Sequence, residues 1–98
     1  MKSLTELPNI GKTLAEKLIT AGINNYKELI ETGSENAIIK LATIENSCVC
    51  INMLYALEGA IQGIRWHDLD RERKQELLEF FNMLQSAKNS HSQTKKLL

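Results

Sequence analysis

Apolar residues recur along this chain every three or four positions, which is the spacing of amphipathic helices. Four rows of this kind are Leu14, Ala15, Leu18 and Ile19; Tyr26, Leu29 and Ile30; Ala37, Ile38 and Leu41; and Leu77, Phe80, Phe81 and Leu84. No stretch alternates apolar and polar residues in the manner of a half-buried strand. The pattern therefore predicts an all-α fold, a bundle of about five helices.

Residues typical of helix ends separate these rows. Ser3, with a glutamate three positions later, forms a capping box for a first short turn that Pro8 then stops. Gly22 suits the left-handed position after the next helix. Asn25 begins another capping box, and Ser34 is predicted to cap the helix that follows.

The longest helix is predicted over residues 48–64, with Ser47 as its N-cap. Its first half is apolar nearly all round, so we expect it at the centre of the bundle. Gly59, Ala60 and Gly63 are small and would let another helix approach closely at its far end.

Two cysteines fall within that predicted helix. Cys48 and Cys50 are two positions apart, so in helical geometry their side chains point about 200° apart and cannot share one metal ion. We expect both thiols to be buried as small apolar groups. The sequence therefore predicts no metal site and no cofactor.

The last helix is predicted from Asp70 to about Ala87, and the residues after Lys88 are polar and without pattern. We expect one domain over residues 1–88 and a flexible tail over 89–98. Leu78 and Met83 flank the apolar row of this helix on its two sides. They suggest either a wide core-facing stripe or a self-association face, and the second is favoured here, which predicts a homodimer.

The charge balance argues against a strong general affinity for nucleic acid or anionic membranes. Twelve basic and twelve acidic residues give a formal net charge of zero. No secretory signal and no apolar run long enough to span a bilayer are visible, so we expect a cytoplasmic protein.

The turn from Leu7 to Gly11 has the pattern of a helix-hairpin-helix, with Asn9 in place of the first glycine. Asparagine tolerates positive φ, so the turn can survive that replacement. Backbone N–H groups at the start of the second helix could then hold a DNA phosphate, or the hairpin could simply connect two packed helices. The candidate nucleic-acid contacts are Asn9, Ile10, Gly11, Lys12, Thr13 and Lys17.

Nothing in the chain indicates catalysis. Trp66, His67 and Asp68 are consecutive, and neighbouring side chains rarely face each other, so no His–Asp pair for general base chemistry is predicted. The polar residues Asn52, Tyr55 and Glu58 could form a ligand-recognition row, a buried hydrogen-bonded network or an exposed strip.

Two segments, Leu4 to Lys12 and Cys50 to Leu69, resemble the C-terminal domain of TfoX (Sxy), the regulator of DNA uptake competence. The resemblance covers Leu4 to Phe81 and implies a helical bundle related to helix-hairpin-helix and SAM-like domains, with no catalytic residues. Residues that carry it without a known role are Asn52, Tyr55, Glu58, Gly59, Trp66, His67 and Asp68. Full TfoX proteins resemble a two-domain arrangement with a separate α+β domain ahead of this one, which we expect this chain to lack, so the resemblance carries over no role of that domain and does not by itself imply competence control. We expect a non-enzymatic regulatory or adaptor domain that binds protein; the alternative is a sequence-independent DNA-binding domain that uses the hairpin.

Overall fold

The computed structural model describes residues 3–44 and 48–97, with side chains as far as Ala87. Within those ranges the chain forms five α-helices, two 3₁₀ helices and no strand, which confirms the predicted all-α fold. In chain order these are η1 (Leu4–Glu6), α1 (Lys12–Thr20), α2 (Tyr26–Thr32), α3 (Ser34–Ala42), α4 (Ile51–Gln62), η2 (Trp66–Asp68) and α5 (Arg71–Leu97).

Side-chain caps begin two of the early helices as predicted. The carboxylate of Glu6 accepts hydrogen bonds from the backbone N–H and the hydroxyl of Ser3, at 2.8 and 2.9 Å. The side-chain oxygen of Asn25 accepts the N–H of Glu28 at 3.0 Å. The bonds from the N–H groups of Ser3 and Glu28 satisfy backbone donors that a helix start leaves without a partner inside the helix.

Other predicted boundaries are wrong. Ser34 is the first residue of α3 and not its cap, because its buried hydroxyl points instead to α4 and donates to Glu58. Helix α4 begins only at Ile51, and Cys48 and Cys50 are exposed free thiols and not buried ones. The chain before α4 is not helical, so the expected apolar face never forms there. The predicted cap Ser47 lies outside the described residues.

Helix α4 lies at the centre of the bundle, as predicted, and contacts α2, α3, α5 and η2. Its most enclosed part is the second half, where five consecutive residues, 56–60, are buried. Leu54 and Leu57 of α4 are fully buried, and the other large side chains that are fully buried in the same core are Leu18, Ile23, Leu29, Ile38, Leu41 and Leu77. Of its small residues, Gly59 is approached by the hairpin turn and by η2 rather than by another long helix, whereas an added Cβ at Gly63 would meet nothing within 4 Å.

Helix α5 is longer than α4 and continues to Leu97, past the end near Ala87 that the sequence predicts. It packs mainly on α4, through the buried side chains of Leu77 and Phe81. The flexible tail over 89–98 stays a prediction, because no side chain beyond Ala87 is described. Among the described residues, no helix combines the length and the apolar character needed to cross a membrane.

Candidate interaction surfaces

The hairpin turn leaves the start of α1 open to solvent. Asn9 has a φ of 71°, which confirms that this asparagine adopts the positive φ the turn needs. Ile10 is buried beneath the turn, whereas Gly11, Lys12 and Thr13 are exposed. Of the predicted contact residues in the turn, Asn9 and Ile10 are therefore partly or fully buried, and the three that follow are open to solvent.

Asn9 does not face solvent but joins the hairpin to the centre of the bundle. Its side-chain nitrogen donates to the carbonyl of Ile64 at 2.9 Å and, more weakly, to that of Ala56 at 3.4 Å. Its side-chain oxygen accepts the backbone N–H of Trp66 at 3.1 Å. One half-buried amide therefore uses both its donor and its acceptor to hold the end of α4 and the start of η2.

Gly59 makes room for that amide. A Cβ at Gly59 would lie 2.5 Å from the side-chain nitrogen of Asn9, 2.8 Å from the carbonyl oxygen of Ile64 and 3.1 Å from the Cα of Trp66. These distances are shorter than van der Waals contact, and two of the atoms are backbone. A glycine is needed here for close approach, which gives two of the resemblance-bearing residues, Gly59 and Trp66, a shared structural role with Asn9.

The start of α1 combines uncapped backbone amides with one lysine. Gly11 is the N-cap and supplies no side-chain hydrogen bond, and the first turn contains no acidic residue. Lys12 lies in that turn, but the half-buried Lys17 is five residues farther on, about 7.5 Å along the helix axis. Only one of the two predicted lysines therefore lies at the open amides.

A polar cluster joins α3, α4 and α5 around the buried carboxylate of Glu58. Its Oε1 accepts the hydroxyl of Ser34 at 2.7 Å and a guanidinium N–H of Arg73 at 3.0 Å, and its Oε2 accepts the amide of Gln62 at 2.6 Å. Arg73 also donates to Glu35 at 2.8 Å. Of the alternatives for Glu58, the structure selects a buried hydrogen-bonded network, and no local sequence pattern indicates its partners in α3 and α5.

Burial of Glu58 raises its pKa, but the hydrogen bonds from Arg73, Ser34 and Gln62 together outweigh this, so the pKa lies below its usual range. The hydrogen bond to Glu58, followed by the one to Glu35, raises the pKa of Arg73 further above its already high value. Glu58 is therefore ionised at neutral pH and pairs with a permanent cation.

Aromatic rings stack beside the hairpin. The rings of Tyr55 and Trp66 are 5.8 Å apart between centroids with an interplanar angle of 16°, and those of Trp66 and His67 are 3.9 Å apart at 27°. The ammonium of Lys74 lies 5.8 Å from the Trp66 ring centroid. This stack packs η2 onto α4 and α5. Asn52 and Asp68 are exposed and lie outside it.

Helix α5 presents the predicted association residues on two different sides. Met83 is 71 % exposed and Leu78 is half-buried. Because they are five residues apart, they point about 140° away from each other on the helix. Phe80, Met83 and Ala87 instead follow one apolar line at i−3, i and i+4, which we call the outer ridge. Met83 and Ala87 are exposed on it, whereas Phe80 is half-buried and packs partly against the core.

Among the described side chains, no group of three or more His, Cys, Asp or Glu residues is arranged to hold a metal ion.

Residues 1–81 match the sequence profile of the TfoX C-terminal domain. The chain belongs to the TfoX C-terminal domain family. It is 28 % identical over 78 residues to DNA transformation protein TfoX1 of Aliivibrio fischeri, a match that covers 80 % of this chain but 37 % of that protein. The chain thus spans well under half the length of this TfoX relative.

Two crystal structures of Listeria monocytogenes proteins of uncharacterised function are similar to this chain. In the triclinic form the TM-score is 0.81 and the identity 51 %, with 85 % of this chain and 93 % of the other covered. In the tetragonal form the TM-score is 0.78 and the identity 52 %, with 83 % and 99 % covered. The TfoX C-terminal fold therefore accounts for nearly all of each Listeria chain in these alignments.

Proposed function

We propose that this TfoX C-terminal domain is a non-enzymatic regulatory or adaptor module that acts through protein–protein contact, first with a second copy of itself. The observation that carries the proposal is the exposure of Met83, at 71 %, between Phe80 and Ala87 on the outer ridge of α5. Methionine is flexible and polarizable, and it is common on surfaces that bind other proteins. Burying such a ridge against its symmetry mate is the simplest way to remove it from water.

The zero net charge of the chain agrees with a protein partner, since it imposes no electrostatic preference for a polyanion. The name of the Aliivibrio relative connects that protein with DNA transformation. We propose that this chain shares a regulatory character with its TfoX relative and exerts it by binding, not by chemistry.

Light scattering after size-exclusion chromatography, at several protein concentrations, tests the association. We expect a dimer that Met83→Glu weakens at least about tenfold, because the new charge would have to be desolvated at the contact. Asn82→Glu adds the same charge on the adjacent exposed position and should leave the dimer intact. Leu78→Glu places it on the other side of α5 and should also have little effect.

A parent chain that stays monomeric at the highest concentration would contradict the dimer. Equal weakening by Met83→Glu and Asn82→Glu would show that net charge, and not the ridge, controls association.

The alternative function, sequence-independent DNA binding, is favoured by the open start of α1. Exposed Gly11, Lys12 and Thr13 present backbone N–H groups where the helix dipole favours a phosphate. The acidic residues of the same segment reduce the attraction of DNA to this surface, so we expect weak binding that is lost as salt increases.

Gly11→Asp gives a sharp test of that alternative. The backbone at Gly11 has a φ of −90° and an added Cβ would meet nothing within 4 Å, so aspartate fits and caps α1. It would occupy the amides and repel phosphate while keeping the fold. Gel-shift titrations at two salt concentrations should show lost binding for Gly11→Asp and Lys12→Glu, and retained binding for Gly11→Ala. Indifference to both charge changes would exclude the hairpin as the contact.

A further inference from the structure

The two cysteines lie together on the solvent side of the segment that precedes α4. Cys50 is extended, with φ −139° and ψ 165°, and residues 48–50 belong to no helix. Val49 is half-buried and packs against the core, whereas Cys48 and Cys50 on either side of it are exposed. The exposed, half-buried, exposed order of residues 48–50 is typical of an extended segment, in which alternate side chains share a face, and from it we infer that both thiols lie on the side away from the core.

This arrangement removes the geometric objection to a shared metal ion. In a helix the two cysteine side chains would diverge by about 200° and could not bind the same ion. Extended backbone instead places the two Cα atoms about 6.5 Å apart with roughly parallel side chains. A disulfide needs the two Cβ atoms to come within about 4.5 Å, which would require the backbone to move. Two metal–thiolate bonds of about 2.3 Å allow the sulfurs to lie up to about 4.6 Å apart. An extended chain reaches this separation more easily than the shorter one that a disulfide needs.

We propose that Cys48 and Cys50 form a two-coordinate site for one soft monovalent cation of the Cu(I) type. Thiolates are the ligands that select Cu(I). Binding replaces the two thiol protons with one cation, so two protons are released, no electrons are transferred, and the complex carries one net negative charge.

The start of α4 complements that charge. Helix α4 begins without a side-chain cap and without an acidic residue in its first turn. Its N-terminal amides carry the positive end of the helix dipole directly beside Cys50, and they favour an anionic complex over a neutral one. A monovalent cation gives such a complex, whereas a divalent cation with two thiolates gives a neutral one.

Anaerobic titration of the reduced full chain with Cu(I), in competition with a chromogenic Cu(I) chelator, tests the site. We expect one ion per chain. Cys48→Ser and Cys50→Ser should each weaken binding by more than about 100-fold, because loss of a direct ligand exceeds the 10–100-fold typical of outer contacts. X-ray absorption at the copper edge should show two sulfur ligands.

A charge variant separates this site from simple binding to any pair of thiols. Asn52 is exposed in the first turn of α4. Asn52→Glu should weaken Cu(I) binding about threefold, because the new carboxylate repels the anionic complex without removing a ligand. Asn82→Glu on α5 is the matched control and should leave the affinity unchanged.

Unchanged affinity in either serine variant, or three or four sulfur ligands drawn from different chains, would overturn the proposal. Equal affinities for the parent, Asn52→Glu and Asn82→Glu chains would show that α4 contributes nothing to the site, and would overturn it as well.

Discussion

Asn9 has two roles that act on different parts of the molecule. Its positive φ of 71° lets the chain turn between η1 and α1, where the helix-hairpin-helix pattern has a glycine. Its amide spans to Ile64 and Trp66, and the amide nitrogen together with the backbone of those two residues leaves no room for a side chain at Gly59. A glycine at position 9 would make the turn equally well but would leave the hairpin without its polar attachment to α4.

Replacing Asn9 separates these two roles. Asn9→Gly keeps the turn but leaves the half-buried carbonyl of Ile64 and N–H of Trp66 without their partner, at a cost of about 2 kcal/mol in unfolding free energy. Asn9→Ala should cost about 1 kcal/mol more, because alanine is strained at positive φ. Urea denaturation of the three proteins measures both steps. Equal stability of Asn9→Gly and the parent would show that the amide bonds do not contribute.

The sequence could predict only one of the roles of Asn9. Its tolerance of positive φ is a local property and was anticipated correctly. Its hydrogen-bond partners lie 47 to 57 residues away, and no local pattern shows which distant carbonyl a side chain will reach. The same limit applies to Glu58, whose partner Arg73 belongs to the next long helix.

At the scale of elements, a predicted cap is correct where its side chain bonds locally, as at Asn25, and wrong where a distant partner takes that side chain, as Glu58 takes Ser34. The cap at Asn25 is local chemistry and was found where expected. The apolar run at Cys48–Cys50 fits a helix by periodicity, yet the chain there is not helical, and of its side chains only Val49 is half-buried against the core. Three residues cannot distinguish the two conformations by pattern alone, and packing against the core decides between them.

The Glu58 cluster connects three helices, and its effect should depend on pH. The folded-state pKa of Glu58 lies below the ordinary value of 4.5, so ionised Glu58 stabilises the fold fully above about pH 4.5. This contribution is lost as the pH falls through the lower folded-state pKa. Glu58→Gln should therefore cost about 2 kcal/mol in unfolding free energy at pH 7, and progressively less as the pH falls below about 4.5.

Denaturation midpoints of parent and Glu58→Gln, measured from pH 7 down to pH 3, test this dependence. Glu76→Gln is the control: Glu76 bonds the same guanidinium of Arg73 at 3.0 Å, but its side chain is 65 % exposed. Its loss should cost no more than about 0.5 kcal/mol at any of these pH values. A constant difference for Glu58→Gln across the range would contradict the ionic contribution.

At the scale of the whole molecule, the hydrophobic core ends part-way along α5. The last strongly buried side chain among the described residues is Phe81, at 9 % exposure, and the half-buried Leu84 packs against the same core. The family match also ends at residue 81. Helix α5 itself continues to Leu97, so its length and the extent of the core are separate properties.

Shortened chains distinguish these properties. A chain that stops after Lys88 retains Phe81 and Leu84, so its free energy of unfolding should stay within about 0.5 kcal/mol of the parent value. A chain that stops after Glu79 loses Phe81 and should lose at least about 3 kcal/mol, because a large buried side chain is removed from the contact between α4 and α5. Urea denaturation compares both with the full chain.

If stopping after Lys88 destabilised the protein as much as stopping after Glu79, the residues past Lys88 would belong to the folded unit. The domain boundary predicted there would then be wrong.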